Sequence, residues 1–527
     1  MANAISKRWA ALGLFVLSTC LCYANNIQVA NVTLTGQNTV DDYTLVEFDI
    51  SWENSWRVVG GPGNWDAAWV FVKYRIGAGP WLHAWINDDG HSAPSGSSIE
   101  VGLLDPGSQY IPTSNPGMGV FIYRSSPGSG TFTLSNVQLR WNYGDNGLSD
   151  NEQVDIKVFA IEHVYVPQGA FYVGSGGSES GAYYTFDLSM GNDPFLINSE
   201  GAINVGTTTG YLYYQNPSTF SGDQMGPIPA EFPKGFDAFY AMKYEISQKG
   251  YVDFLNTLSR AQQSSRVRSD ISMDVVMNTY VLSNTTAVMP QGRNGIRCYD
   301  YIGLIPAPVT FFCDYNANSI PDEINDGKEI ACSRLSWADL SAYLDWAGLR
   351  PMTEFEFEKA SRGIINPVAN EYVWGNNENR ATTFINNQGY PTESPDENSN
   401  CSAGPDYFGP IRCGAFARSA TDRTGSGASY FGIMELGGNL WERPVSVGNP
   451  EGRSFTGVHG NGVLSSIGNA DELQWPSSIS AGGSSFRGGS WETEFERLRT
   501  SDRFYGANTD PVAYTGTGGR GVRSVLN

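Results

Sequence analysis

Histidine is nearly missing from this 527-residue chain: His83, His91, His163 and His459 are all it has. No HxxxH or comparable spacing links them, which argues against a histidine-triad iron centre. Basic residues are also scarce, 33 Lys and Arg against 54 Asp and Glu, for a net charge of −21. A surface so poor in clustered cations cannot neutralise a phosphate backbone, so nucleic acid is excluded as a partner. The same acidity suits Ca²⁺, whose hard-oxygen ligands are mostly carboxylates and carbonyls. Neither a GxSxG elbow nor a P-loop occurs, and past the N-terminus no apolar run is long enough to span a membrane as a helix. What is abundant is glycine, 61 residues, with 13% aromatics and only 17% charged residues. That texture belongs to a loop-rich, strand-rich globular protein, and the length calls for two or more domains.

The first 24 residues read as an export signal. Lys7 and Arg8 precede the apolar run Trp9 to Val16, and Cys22-Tyr23-Ala24 offers a cleavage site. Leu17-Ser18-Thr19-Cys20 is the alternative, a lipoprotein box anchoring the chain at Cys20, although Thr before the cysteine fits it poorly. The mature chain is expected in the periplasm, at the cell surface or secreted. Five cysteines then remain: Cys298, Cys313, Cys332, Cys401 and Cys413. Outside the cytosol these favour disulfides, with Cys313–Cys332 and Cys401–Cys413 each stapling a polar loop. Cys298 is left over, and its pairing with Cys313 instead stays open.

Residues 25–160 alternate strand patterns with turns and predict a β-sandwich: "TLVEFDISWENSW", "AAWVFVKYRI", "GVFIYRSS", "FTLSNVQLRWNY" and "EQVDIKVFAI", with "GDNGLSDN" as a hairpin loop between the last two. Trp52, Trp56, Trp65, Trp69, Trp81 and Trp85 are either sandwich core and edge or a glycan-stacking platform. The texture changes at about 161. "SQKGYVDFLNTL" carries Tyr251, Phe254, Leu255 and Leu258 at helical spacing. "SWADLSAYLDWAG" and "TEFEFEKASRG" both open with capping boxes, Ser336/Asp339 and Thr353/Glu356, and close on glycine. Between them and the first helix, an insertion at about 265–332 contains "CDYNANSIPDEIND". Its Asp314, Asn316, Asn318, the Ile320 carbonyl, Asp322 and Asn325 have EF-hand-like spacing for Ca²⁺, weakened by Ser319 at the turn position and Asn325 at the last.

After Gly363 helix signals vanish, and "GIMELGGNLWERPVS" sets Glu435 and Glu442 seven residues apart around Gly437-Gly438. Either this is a polar turn with an aromatic plug, or its acids and bared carbonyls grip a cation. The ordered blocks "VYVPQGAFYVGS", "FYAMKYEISQKGYVDFLN", "LRPMTEFEFEKASRG", "YVWGN", "GIMELGGNLWE", "FRGGSW" and "GRGVR" resemble the signature segments of the formylglycine-generating enzyme (sulfatase-modifying factor) family, over residues 161–527. The resemblance implies an α+β, C-type-lectin-like domain with little regular secondary structure. It also implies a structural Ca²⁺ held by Glu435, Glu442 and the carbonyls of Gly438 and Leu440, with Trp441 plugging the adjacent core.

The family's oxidase uses copper on two cysteine thiolates just after Gly-Gly-Ser, and this chain has Thr493 and Leu498 there. Soft Cu(I) has no good substitute for thiolate among such residues. Ser490 lacks an evident base, His459 reads as a loop residue satisfied by backbone, and Arg487 and Arg523 read as buried bidentate pairs. The sequence therefore predicts an exported, calcium-stabilised binding or structural protein without copper, partnered by a protein or glycan at the cell envelope. The alternatives are a formylglycine-generating-type oxidoreductase acting on protein cysteine and a glycan-binding surface protein.

Overall fold

A computed structural model describes residues 26–525 apart from 106–115, 190, 216–217, 219, 276–278, 286–289, 300–306, 405–408 and 419–420. The segment expected to be an export signal, with Cys20 in it, lies outside the described residues. Strands dominate and helices are few and short. Five strands stand where alternation predicts them: Tyr43–Arg57, Asp66–Ile76, Gly117–Arg124, Gly128–Trp141 and Val154–Val166. Two more, Gln28–Asn38 and Ser97–Leu103, have weaker patterns because the first is mostly exposed and the second mostly half-buried.

The sheets do not respect the change of texture at 161. Gln28–Asn38, Tyr43–Arg57 and Gly128–Trp141 form a three-stranded sheet. An eight-stranded sheet runs in the order Arg350–Pro351, Gly521–Ser524, Phe239–Met242, Val154–Val166, Asp66–Ile76, Gly117–Arg124, Ser97–Leu103, with Leu82–His83 beside Asp66–Ile76. Val154–Val166 pairs with Asp66–Ile76 from Val154 to Val164, then continues and pairs with Phe239–Met242 from His163 to Val166. Residues 160 and 161 are therefore neighbours inside one strand. The 144–151 segment is a correction: it is not a hairpin loop, because the strands on either side of it belong to different sheets. Its Asn146 instead ties it down, accepting from the Trp141 indole at 2.7 Å and donating to the His83 carbonyl at 3.1 Å.

Lys243 locks this continuous sheet. Its Nζ lies 2.9 Å from Glu162 and 3.4 Å from Asp66, both buried, and 4.8 Å from the Trp56 ring. Burial would lower its pKa, but Glu162, then Tyr244 and Asp66, outweigh this and hold the ammonium charged. Next to Glu162, His163 is fully buried, with Nδ1 against the Ile161 carbonyl and Nε2 without a partner. Burial pushes its pKa down to about 3, so it is neutral when folded and takes up a proton only when unfolded. The folded value lies below the unfolded one, so its stabilising contribution is lost as pH falls below about 6.5. His163→Met should therefore gain about 2 kcal/mol relative to wild type between pH 7.5 and pH 5, read from urea midpoints at both pH values. A constant difference across that range would refute the assignment.

The three expected helices form from their own ends, and a fourth, Arg260–Arg266, which the sequence reading missed, carries a capping box of Ser259 and Gln262. Gln248–Leu255 is capped by Ser247, while Trp337–Trp346 and Glu354–Arg362 carry both halves of their capping boxes. Beyond Gly363 only two four-residue helices and a 3₁₀ turn follow among the described residues. This long irregular region is held by buried ion pairs, not by disulfides. The expected bridges are absent: Cys313, Cys332, Cys401 and Cys413 are free thiols, and all four are buried, as is Cys298. Each thiol is packed as a small hydrophobe: Cys401 and Cys413 lie in separate apolar clusters, and Cys332 faces the Asn294 amide at 3.6 Å. Cys298 and Cys313 stand at opposite ends of one strand pair, Ile296–Cys298 with Phe311–Cys313.

Candidate functional site

The glycine bend is built by backbone that only certain residues accept. Gly438 has φ +88°, and a Cβ there would sit 2.5 Å from the Ser402 carbonyl oxygen. Glu435 and Asn439 also take positive φ, 53° and 63°, which turns Glu435 inward. Its Oε1 accepts from the Gly414 N–H at 2.9 Å, and its Oε2 is buried without a partner. Glu442 accepts from Arg520 Nε through Oε1, and its Oε2 is likewise buried and unpartnered. Trp441 meets Phe486 and Tyr505 edge to face, only partly buried.

Two residues at this bend escape a reading of the local motif. Glu245, from the segment after Phe239–Met242, accepts from the Leu440 N–H at 2.8 Å and from the Asn439 side chain. Arg520 donates to Glu442 and to the carbonyls of Glu435, Met242 and Lys243. Three buried carboxylates thus gather around one guanidinium. Burial pushes Glu435 up to about 7 and Glu245 well above the carboxylate range, with Arg520 opposing in both cases. Arg412 adds a further attraction on Glu435, and the three acids still outnumber these two cations.

The 314–326 loop brings together part of its predicted set. Asp314 Oδ1 accepts from the Asn318 N–H at 3.1 Å, Asn316 Oδ1 accepts from the same N–H at 2.9 Å, and Arg297 pairs with Asp314 at 2.8 Å. Asp322 and Ile320 are exposed. Asp326 and Glu323 turn toward the asparagines instead: Asn316 Nδ2 donates to Asp326 at 2.9 Å, and Asn318 Nδ2 to Glu323 at 2.5 Å. Asn325 forms no contact with this group that would bring it in, its carbonyl lying beside Gly389.

After Gly-Gly-Ser the chain makes a tight local turn. Thr493 Oγ1 donates to the Ser490 carbonyl at 3.0 Å and accepts the Ser490 N–H at 2.9 Å. Leu498 is fully buried beside Cys401, Val373 and Trp374. Ser490 Oγ is buried with no hydrogen-bond partner, hence with no base. His459 donates through Nδ1 to Asp105 at 2.8 Å and accepts the Ser524 N–H at Nε2, 2.9 Å. Arg487 forks across Glu354 and Glu358 at 3.1 and 2.9 Å. Arg523 departs from its expected ion pair, because its guanidinium caps the carbonyls of Gly348 and Leu103 over the Trp69 ring.

The six N-terminal tryptophans form no single platform. Trp52 and Trp69 are fully buried in different apolar clusters, and Trp65 stacks on Tyr165 at 3.9 Å. Trp81 and Trp85 line a cleft of about 610 Å³ shared with Trp346, Tyr74, Gln262 and Leu464. Among the described residues no helix is long and apolar enough to cross a membrane.

Comparison with known proteins places this geometry. Residues 160–525 match the sulfatase-modifying factor enzyme 1-like domain. A formylglycine-generating enzyme of Thermomonospora curvata is 23% identical over 265 residues, 49% of this chain and 75% of that protein. The mouse protein named inactive C-alpha-formylglycine-generating enzyme 2 is 27% identical over 137 residues, 26% of this chain and 39% of that one. With more than half its length matched in one continuous block, this chain belongs to the sulfatase-modifying factor family.

Proposed function

We propose that this chain is an exported, calcium-stabilised binding or structural protein that keeps the family scaffold without its copper chemistry. The observation that carries this reading is the 490–498 turn. At the two positions where the family's thiolates are expected, Thr493 spends its hydroxyl on Ser490 and Leu498 is buried among apolar side chains. Neither residue fits copper, since Cu(I) is held by soft thiolates. The remaining cysteines do not substitute: burial pushes Cys401 up to about 12 and Cys413 well above the usual thiol value, and the two lie in separate clusters. Stoichiometric copper in the purified chain, together with oxidation of a cysteinyl peptide, would overturn the proposal in favour of the oxidoreductase.

Calcium at the glycine bend is supported by the unpartnered Oε2 atoms of Glu435 and Glu442 and by the excess of carboxylates over Arg520. Hard oxygens with unsatisfied charge fit Ca²⁺, and Glu435 and Glu442 would hold it there. Chelation is expected to lower stability by about 2–3 kcal/mol relative to calcium at a hundredfold excess over its dissociation constant. Glu435→Gln keeps an acceptor for the Gly414 N–H while removing the charge, so it should shrink that calcium-dependent increment. Equal chelator sensitivity in wild type and Glu435→Gln, by thermal denaturation, would remove this site.

One observation favours the glycan reading. The 610 Å³ cleft is lined by the partly exposed indoles of Trp81 and Trp85, aromatic faces of the kind on which sugars stack. A glycan array that gives the same signal for wild type and Trp81→Ala would dismiss it.

A further inference from the structure

We propose a second, independent site for a hard divalent cation of the calcium class, built by Asp345, Asp471 and Glu472. Carboxylate oxygens of these three residues converge within 4.8 Å of one another. They come from the last turn of the Trp337–Trp346 helix and from the 457–475 loop that folds back over it. Asp345 accepts the N–H groups of Asn461 and Asp471, each at 3.0 Å, and Asn461 Nδ2 donates to Asp471 at 3.0 Å. These bonds fix the loop on the helix with its acids facing Asp345.

Two observations beyond the cluster itself point to a missing positive charge. Glu472 is 8% exposed, and its Oε1 is buried with no hydrogen-bond partner. An ionised oxygen left so in a protein interior is strongly disfavoured unless a cation meets it. Asp345 is also the wrong sign for its place: it is fully buried near the carbonyl end of its helix, and that helix has no basic residue in its last turn. Lys73, with Nζ on the Gly462 carbonyl at 3.0 Å, attracts Asp345, and it is the cation that acts on this cluster. With all three acids ionised, one Lys leaves two negative charges, which a divalent ion cancels. Asp471 is only partly buried, so water can complete a shell of six to eight oxygens from its side.

The test is metal content, independent of any activity and of the glycine bend. The full chain is dialysed against buffered calcium and its bound calcium measured by inductively coupled plasma mass spectrometry, for wild type, Glu472→Gln, Asp471→Asn and Glu435→Gln. The site predicts that Glu472→Gln and Asp471→Asn each lose about one equivalent, or weaken one titratable site about tenfold or more. It also predicts that Glu435→Gln retains that equivalent, whatever it loses at the bend. If Glu472→Gln does not fold, Asp471→Asn, at a half-exposed position, decides alone. Unchanged calcium content in the folded variants would overturn the site and leave protons as what neutralises these acids.

Discussion

Glu354→Gln is expected to cost about 3–5 kcal/mol of folding stability. Glu354 opens the Glu354–Arg362 helix and is completely buried. Arg503 grips both of its oxygens, Nε at 2.8 Å and Nη2 at 2.9 Å, and Arg487 adds a third bond at 3.1 Å. The Tyr183 hydroxyl and the Val447 N–H, each at 3.1 Å, and the Ser446 hydroxyl at 3.3 Å also donate to it. The network runs on through Arg487 to Glu358, and through Arg362 from Glu358 to Glu371. Three guanidiniums balance three carboxylates, and every one of them is at 0% exposure. Removing one charge strands Arg503 in a low dielectric with an amide that cannot compensate it, so the penalty is the desolvation of the orphan and not the modest net worth of the pair. Urea denaturation followed by tryptophan fluorescence measures it. A loss below about 1 kcal/mol would show that water reaches the network.

Lys243→Met is expected to cost a similar amount, about 3–5 kcal/mol, by a different route. Here the orphans are two carboxylates, Asp66 and Glu162, left facing each other between neighbouring strands. Asp66 keeps bonds from the Trp52 indole, the Ser55 hydroxyl and the Trp56 N–H. Glu162 does not: its Oε1 already lacks a partner, and Lys243 supplies the bond to Oε2. Adding Glu162→Gln to Lys243→Met should therefore recover about half the loss, a coupling that a double-mutant cycle resolves. Additive effects would mean that the lysine acts through its stem and Trp56 instead.

What could be read from the residues in advance was local, and what could not was made by distant segments meeting. Ser336 with Asp339 and Thr353 with Glu356 announce their helices because both partners of each capping box lie within one turn. The strand Val154–Val166 is legible as a strand, but its two partners lie about 80 residues away on either side, and nothing in its alternation names them. For the same reason the 144–151 turn looks like a hairpin until its flanking strands are seen in different sheets. At the glycine bend, Glu435 and Glu442 carry a signal in their spacing. Glu245 and Arg520 join them from about 190 residues before and 80 after. The cysteines mislead because buried thiols and disulfides share the same sequence statistics, and only packing tells them apart.

The strand that crosses residue 160 has a mechanical corollary. A linker would let the two halves swivel, as halves joined by a small polar interface do. Here backbone ladders on both sides of one uninterrupted strand make the N-terminal sheet and the C-terminal strands a single lever. A pull on one end is delivered to the other as displacement of the whole body, and separating them means shearing hydrogen bonds along the strand's length together, not opening a hinge.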